Sequence, residues 1–201
     1  MPIVSGVGIV ETDRLVLRPF GAGDVAALTA LHAIPEFWWF PLRRAMTAAE
    51  THQFLDNQTA TRAERGFGLW AAELRDGGEV VGWSGLSVPT FLPEVLPAVE
   101  VGWRFHPRVW GRGLATEAGA ASIEYGFTEL GLDEILSIHE PANVTSGAVM
   151  ARLGMRIRCE TVHPGRDLPI TVRAVTEDEW RARTRPRAGC GPSSVTLPTS
   201  R

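Results

Sequence analysis

The stretch AVEVGWRFHPRVWGRGLATEA, residues 98–118, constrains this chain more than any other. Its first eight residues follow the period of a strand. That period puts Val99, Val101, Trp103 and Phe105 on one face and Glu100, Gly102 and Arg104 on the other. His106-Pro107 closes the strand, a turn with Gly111 and Gly113 follows, and helix-forming residues begin at once. Such a junction aims the unpaired N–H groups of a helix start, and the positive end of its dipole, past the end of the strand. Glycine lets that backbone come close to an anion and take left-handed angles. Arg108 and Arg112 bring guanidinium groups, which suit phosphate, and Thr116 brings a hydroxyl in the first turn. The segment reads as a cradle for a diphosphate, against the plainer reading of a tight turn before a helix. A dinucleotide-binding βαβ turn is the rival. Gly111 and Gly113 match it, and Glu140 could be its acidic residue, but Thr116 replaces the third glycine and a long hairpin-like region precedes the motif.

Around this segment the chain reads as one domain. Its 201 residues, 44% hydrophobic and 21% charged, suit a single sizeable core. A net charge of -3 gives no electrostatic footprint for nucleic acid or an anionic membrane, so neither is expected as a partner. All 20 basic residues are arginine. Cys159 and Cys190 show no metal-ligand or disulfide spacing, so no metal is expected. No apolar run is long enough to span a bilayer, and a cytoplasmic location is the expectation.

The periodicity predicts strands at 14–20, 68–75, 79–88, 98–105, 134–139, 156–163 and 168–175. It predicts helices at 22–33, 47–65, 113–131, 143–153 and 176–183, the second opened by a capping box of Thr47 and Glu50. The aromatic, proline-broken stretch 36–44 reads as a loop. Asp76-Gly77-Gly78 joins two strands as a hairpin turn. The domain is drawn at 9–184, with 185–201, rich in Gly, Pro and Ser, as a disordered tail. This order implies an α/β (α+β) chain with a mixed sheet and helices on both faces.

The run Arg108-x-x-Gly111-x-Gly113-x-Ala115 resembles the pyrophosphate-binding motif of the GNAT superfamily of N-acetyltransferases. WGRGLATEA after VEVGWRF is similar to the RimJ/RimL-like branch, as are ETDRLVLRPF, VVGWSGL and ILSIHEPANVTSGAVMARLGM, over roughly residues 9–182. The resemblance implies the GNAT fold, here with about seven mostly antiparallel strands. It also implies acetyl-CoA as cosubstrate, an amine acceptor (a protein N-terminus or a small amine) and a possible homodimer. In that family a strand pair splays apart and the pantetheine arm bonds strand backbone in the gap. Carried over, that backbone is Val101, Trp103 and Phe105, and the diphosphate cradle is Arg108, Val109, Gly111, Arg112, Gly113, Ala115 and Thr116. Asn143 matches the motif asparagine, for the pantetheine arm or for loop order. Ser146 matches the motif serine, near the thioester sulfur.

Transfer to an amine needs a base for the amine proton, donors for the developing oxyanion and an acid for the leaving thiolate. Glu100, an acid inside an apolar strand, is the first choice of base, and an ion pair with Arg104 or Arg14 is its structural alternative. Glu140 (otherwise a solvated strand end) and His139 (otherwise a packed histidine) follow. Ser146 is the acid candidate, because the single tyrosine, Tyr125, lies on the preceding helix at packing positions. Asn143 also reads as a helix N-cap. Trp110 is expected beneath the turn. Phe37, Trp38, Trp39, Phe40 and Trp83 are either core or walls of an acceptor pocket. A non-catalytic acyl-CoA-binding module is the alternative function.

Overall fold

The computed structural model describes residues 3–5 and 8–184. The expected tail, 185–201, lies outside the described residues. In chain order the elements are β1 (Ile3–Ser5), β2 (Ile9–Glu11), β3 (Leu15–Arg18), α1 (Val25–His32), a short kinked turn α2 (Trp39–Leu42), and α3 (Ala48–Arg65). Next come β4 (Leu69–Leu74), β5 (Val80–Ser87), β6 (Val99–Phe105), α4 (Leu114–Thr128), and β7 (Glu134–His139). The chain continues with α5 (Val144–Arg152), β8 (Arg156–His163), β9 (Leu168–Thr176) and α6 (Glu177–Thr184).

One mixed sheet runs in the order β1-β2-β3-β4-β5-β6-β7-β9-β8. Every pairing is antiparallel except β6 with β7. The seven expected strands are present, and the sheet gains two more, β1 and β2, each three residues long, at its N-terminal edge. Both are too short to show a period. Stretch 36–44 is also more regular than expected: a 3-10 turn (Pro35–Trp38) leads into α2.

The two faces of the sheet are filled differently. On one, Val99, Val101 and Phe105 of β6 and Ile135 of β7 pack under Leu114, Ala118, Ala121 and Ile123 of α4. Trp180 of α6 closes this layer, its indole N–H donating to Glu124 at 2.6 Å. On the other face, Leu28 and Leu31 of α1, Leu55 of α3, Phe37 and Trp38 cover Leu69 and Trp83. The Thr47 capping box forms: Glu50 N–H donates to Thr47 Oγ1 at 3.2 Å, and Thr47 N–H donates to Glu50 Oε2 at 2.8 Å. Tyr125 is buried edge-to-face on Trp70, with centroids 5.0 Å apart, so it serves packing. Apolar burial of this kind stabilises the sandwich and holds β6 rigid where the site is built.

Candidate active site

β6 and β7 pair only at Val99 with Ile135 and Glu100 with Leu136. Beyond Glu100 no pairing is recorded, although β7 continues to His139 and β6 to Phe105. On its other side β6 stays paired with β5 over its length, and the bond from His106 N–H to Val81 C=O fixes the phase of that ladder. Alternation then turns the N–H and C=O groups of Glu100, Gly102 and Arg104 toward β5, and those of Val101, Trp103 and Phe105 toward the opening. The side chains of Val101, Trp103 and Phe105 point into the α4 layer, so only their backbone faces the gap. Of these groups the Phe105 C=O is already taken, by the Trp110 indole N–H at 2.7 Å. That bond holds Trp110 across the mouth of the turn with 54% of its surface exposed, a correction to its expected place beneath the turn.

Glu100 sits at the vertex where the strands part. Its carboxyl accepts the N–H of Ile138, two residues beyond the last paired residue of β7. Burial pushes the carboxyl up to about 7, and the Ile138 hydrogen bond pulls more weakly the other way. The residue keeps some contact with solvent, but its carboxyl is surrounded by protein. Among the described residues Glu100 forms no ion pair. Arg14 is engaged with Glu117, and Arg104 donates to the Phe37 C=O.

At the far end of β6, a 3-10 turn (Pro107–Val109) leads to Gly111 at φ 72° and Gly113 at φ 80°. Gly113 is the N-cap of α4 and has no side chain to cap with. Glu117 N–H makes the first helical bond, to the Gly113 C=O, so the N–H groups of Leu114, Ala115 and Thr116 have no partner within the helix. By contrast, α3 and α5 are capped by Thr47 and Asn143. Val109 is buried and its N–H is spent on the His106 C=O, so it supports the turn from beneath. Arg112 is exposed beside the opening, whereas Arg108 is ion-paired with Glu79.

An uncapped helix start, two left-handed glycines and a splayed strand pair together form a cradle that runs into a slot. The family model for the acetyltransferase (GNAT) domain matches residues 14–156. The chain belongs to the GNAT acetyltransferase family. Within it, the chain is 32% identical over 190 residues to an FsC-acetyl coenzyme A-N(2)-transacetylase of Aspergillus fumigatus, covering 88% of this chain and 79% of that one. It is 28% identical over 151 residues to the N-acetyltransferase YnaD of Bacillus subtilis, covering 73% of this chain and 82% of the relative. Among solved structures, an acetyltransferase of Agrobacterium tumefaciens superposes with a TM-score of 0.72 at 25% identity, covering 87% of this chain and 98% of that one. The ribosomal L7/L12 α-N-protein acetyltransferase RimL, solved with coenzyme A, superposes with a TM-score of 0.68 at 16% identity, covering 85% and 99%, a likeness of fold. This GNAT chain is an acetyl-CoA-dependent N-acetyltransferase.

The remaining sequence-predicted residues fall at the β7–α5 end of the GNAT slot. Asn143 caps α5: its Oδ1 accepts Ser146 N–H at 3.2 Å and Thr145 Oγ1–H at 2.9 Å. Ser146 stands in the first turn, partly buried. Glu140 is not the solvated strand end that its position suggests; it is ion-paired with Arg43 and its Oε1 is buried without a partner. His139 is held below its ordinary value by burial, partly offset by hydrogen bonds to backbone at Glu140 and Asn143. Its Nδ1 contacts the Glu140 C=O at 3.0 Å, which leaves Nε2 as the free nitrogen, buried without a partner.

Sequence reading missed the role of Arg14. Its guanidinium donates to the Arg112 C=O at 2.7 Å and to Glu117 at 2.6 Å. Thr12 Oγ1–H and Arg14 N–H also donate to Glu117, at 2.7 and 2.9 Å. Burial pushes the Glu117 carboxyl up, but these donors outweigh it and hold it below the usual carboxylate range. The opening strand thus staples the turn to α4 across about half the chain, and no spacing in the sequence could signal that.

Proposed function

We propose that the protein moves the acetyl group of acetyl-CoA directly onto a primary amine, with Glu100 as the base. The observation that carries this reading is the carboxyl of Glu100 at the vertex of the gap, with a pKa of about 7. A carboxylate of that basicity takes a proton from an ammonium or a bound water near neutral pH, where an ordinary glutamate would not. The residues present fit coenzyme A. The N–H groups of Leu114, Ala115 and Thr116, with the backbone of Gly111 and Gly113, suit the diphosphate, with Arg112 beside it. The gap-facing backbone of Val101 and Trp103 suits the amides of the pantetheine arm. Bound there, the cosubstrate supplies an activated thioester.

Glu100, directly or through one water, accepts the proton that the amine must lose. The amine nitrogen attacks the thioester carbon, a C–N bond forms and the C–S bond breaks. N–H groups on the open edge of β6 stabilise the charge on the carbonyl oxygen. The thiolate takes a proton through Ser146 or a water near it; solvent reprotonates that donor, and Glu100 releases to solvent the proton it took, so the protons balance. Asn143 supports this step by capping α5, which fixes Ser146. The names of the relatives and the RimL-type fold favour acceptors that are protein N-termini or small amines.

The test is calorimetry with CoA, followed by free-thiol release from acetyl-CoA with a panel of amines and N-terminal peptides. Binding of CoA with amine-dependent thiol release is expected. Binding without release for any amine would replace the catalytic reading with that of an acyl-CoA-binding module.

A further inference from the structure

On the face of β6 that carries Glu100, four residues further along and past Gly102, stands Arg104. It is a cation in an aromatic box. Its Cζ lies 4.2 Å from the ring centroid of Trp38, 5.4 Å from that of Trp83 and 5.9 Å from that of Phe37. Phe54 and His32 complete the walls. No carboxylate is ion-paired with Arg104 among the described residues, and its one recorded hydrogen bond goes to the Phe37 C=O. The Nε of Arg104 and the indole Nε1 of both Trp38 and Trp83 are buried without a hydrogen-bond partner. The two indole ring centroids are 6.3 Å apart, and the Arg104 guanidinium lies against both rings.

The box therefore holds a positive charge and surplus N–H groups. The other titratable group in it, His32, is buried; burial, then the charge on Arg104, holds its pKa down to about 4. Its Nδ1 is engaged with Thr51 Oγ1 at 2.9 Å. Arg104 is also depressed by burial, to about 9, and so stays charged at neutral pH. A buried cation with unspent donors is costly unless something supplies the missing acceptors. A carboxylate does so: it has two oxygens, accepts several N–H bonds and tolerates aromatic walls.

We propose that the acceptor carries a carboxylate in addition to its amine, and that Arg104 with the indole N–H groups of Trp38 and Trp83 receives it. This rests on the acetyl-transfer reading, in which the amine lies at Glu100. Gly102 lies between the two positions and leaves the strand bare there. A Cβ on it would come into ordinary contact, 3.7 Å, with the Trp83 ring. Four strand steps separate Glu100 from Arg104, about 13 Å between backbones. The acceptor is thus an amino acid whose amine and carboxylate are several bonds apart, or a short peptide bearing both groups.

The test uses ¹⁵N-labelled protein with CoA bound, titrated with β-alanine, γ-aminobutyrate and ε-aminocaproate and, in parallel, with the amino alcohols of equal chain length. The indole N–H resonances of Trp38 and Trp83 should shift with the acids, with a preference of about ten-fold or more over the alcohols. Arg104→Met should bring that preference to about one. Arg104→Lys, which keeps the charge but has no Nε–H, should retain only part of it. Equal responses to acids and alcohols in the native protein, or no response to any acid, would overturn the proposal without recourse to a variant. Binding of the acids with no thiol release from acetyl-CoA for any amine tested would leave this site standing and remove the transfer reading instead.

Discussion

Replacing Glu100 by glutamine should make the protein more stable and less active, and the two effects should share one pH dependence. Glutamine keeps an oxygen for the Ile138 N–H but cannot ionise. In the wild type the carboxyl ionises at about 7 in the folded state, against an ordinary 4.5. A folded pKa raised in this way gives a contribution that is fully present below about pH 4.5 and is lost as pH rises through about 7. At about 1.4 kcal/mol per pH unit the ceiling is roughly 3 kcal/mol. Residual solvent contact at Glu100 brings the expected figure to about 1–3 kcal/mol. Urea unfolding of both proteins across this range should give curves that meet near pH 4.5 and diverge toward pH 8, with Glu100→Gln the more stable. Groups common to both proteins, His32 among them, cancel in the difference. The acid limb of kcat/KM in the wild type should fall near pH 7 and vanish in the variant, with a loss of about 100-fold or more. A stability difference that does not change with pH, or an acid limb that survives in Glu100→Gln, would refute the assignment of the base.

Three further outcomes follow from the geometry. His32 is neutral when folded, its pKa depressed from 6.5 to about 4 by burial and then by Arg104; its contribution is therefore present above about pH 6.5 and lost as pH falls toward 4, up to about 3 kcal/mol. Stability of the wild type measured by urea unfolding should drop in that window more steeply than that of His32→Gln. Gly113→Val forces a β-branched residue to φ 80°, which should cost about 1–3 kcal/mol and weaken CoA binding in calorimetry by at least about ten-fold; unchanged affinity would remove the turn from the diphosphate site. Asn143→Ala loses the α5 cap, at about 1 kcal/mol, and because its Oδ1 is spent within the protein the CoA affinity should change less than about three-fold; a larger loss would mean that the amide contacts the cosubstrate.

What could be read from the sequence was local. The strand–turn–helix of residues 98–118, the capping box at Thr47 and the hairpin at Asp76-Gly77-Gly78 are each written within a few residues, and their physics needs no distant partner. Alternation along β6 correctly placed Glu100 and Arg104 on one face. It could not say what either touches, because those partners come from β7 and from the Pro35–Trp38 turn. The same limit explains Arg14, whose partner Glu117 is 103 residues away, and Glu140, whose partner Arg43 is 97 away. β1 and β2 escaped for a different reason: three residues each carry no period, and edge pairing alone makes them strands. Trp110 escaped because one indole N–H bond to Phe105 outweighs burial of the ring.

The distribution of unsatisfied groups ties these points together. Elsewhere among the described residues buried polar side chains are paired: Arg18 is shared by Asp24 and Glu73, Ser84 Oγ donates to the Gly102 C=O, and Ser122 Oγ donates to the Ala118 C=O. Among the described residues, the buried side-chain polar atoms without partners belong to His32, Trp38, Trp83, Arg104, His139, Glu140 and Arg173, on or against β5 to β9. Each such atom costs about 1–3 kcal/mol. A fold that is stable by only about 5–15 kcal/mol does not keep several in one region unless that region has work to do. Their chemistry also differs along the gap. At the β7 end the free atoms are a histidine nitrogen, a carboxylate oxygen and the Arg173 Nε; in the Trp38–Trp83 box they are three N–H donors around Arg104 and the His32 Nε2. A single acceptor molecule with an amine at one end and an anion at the other complements both ends at once, which neither a bare amine nor a bare acid does.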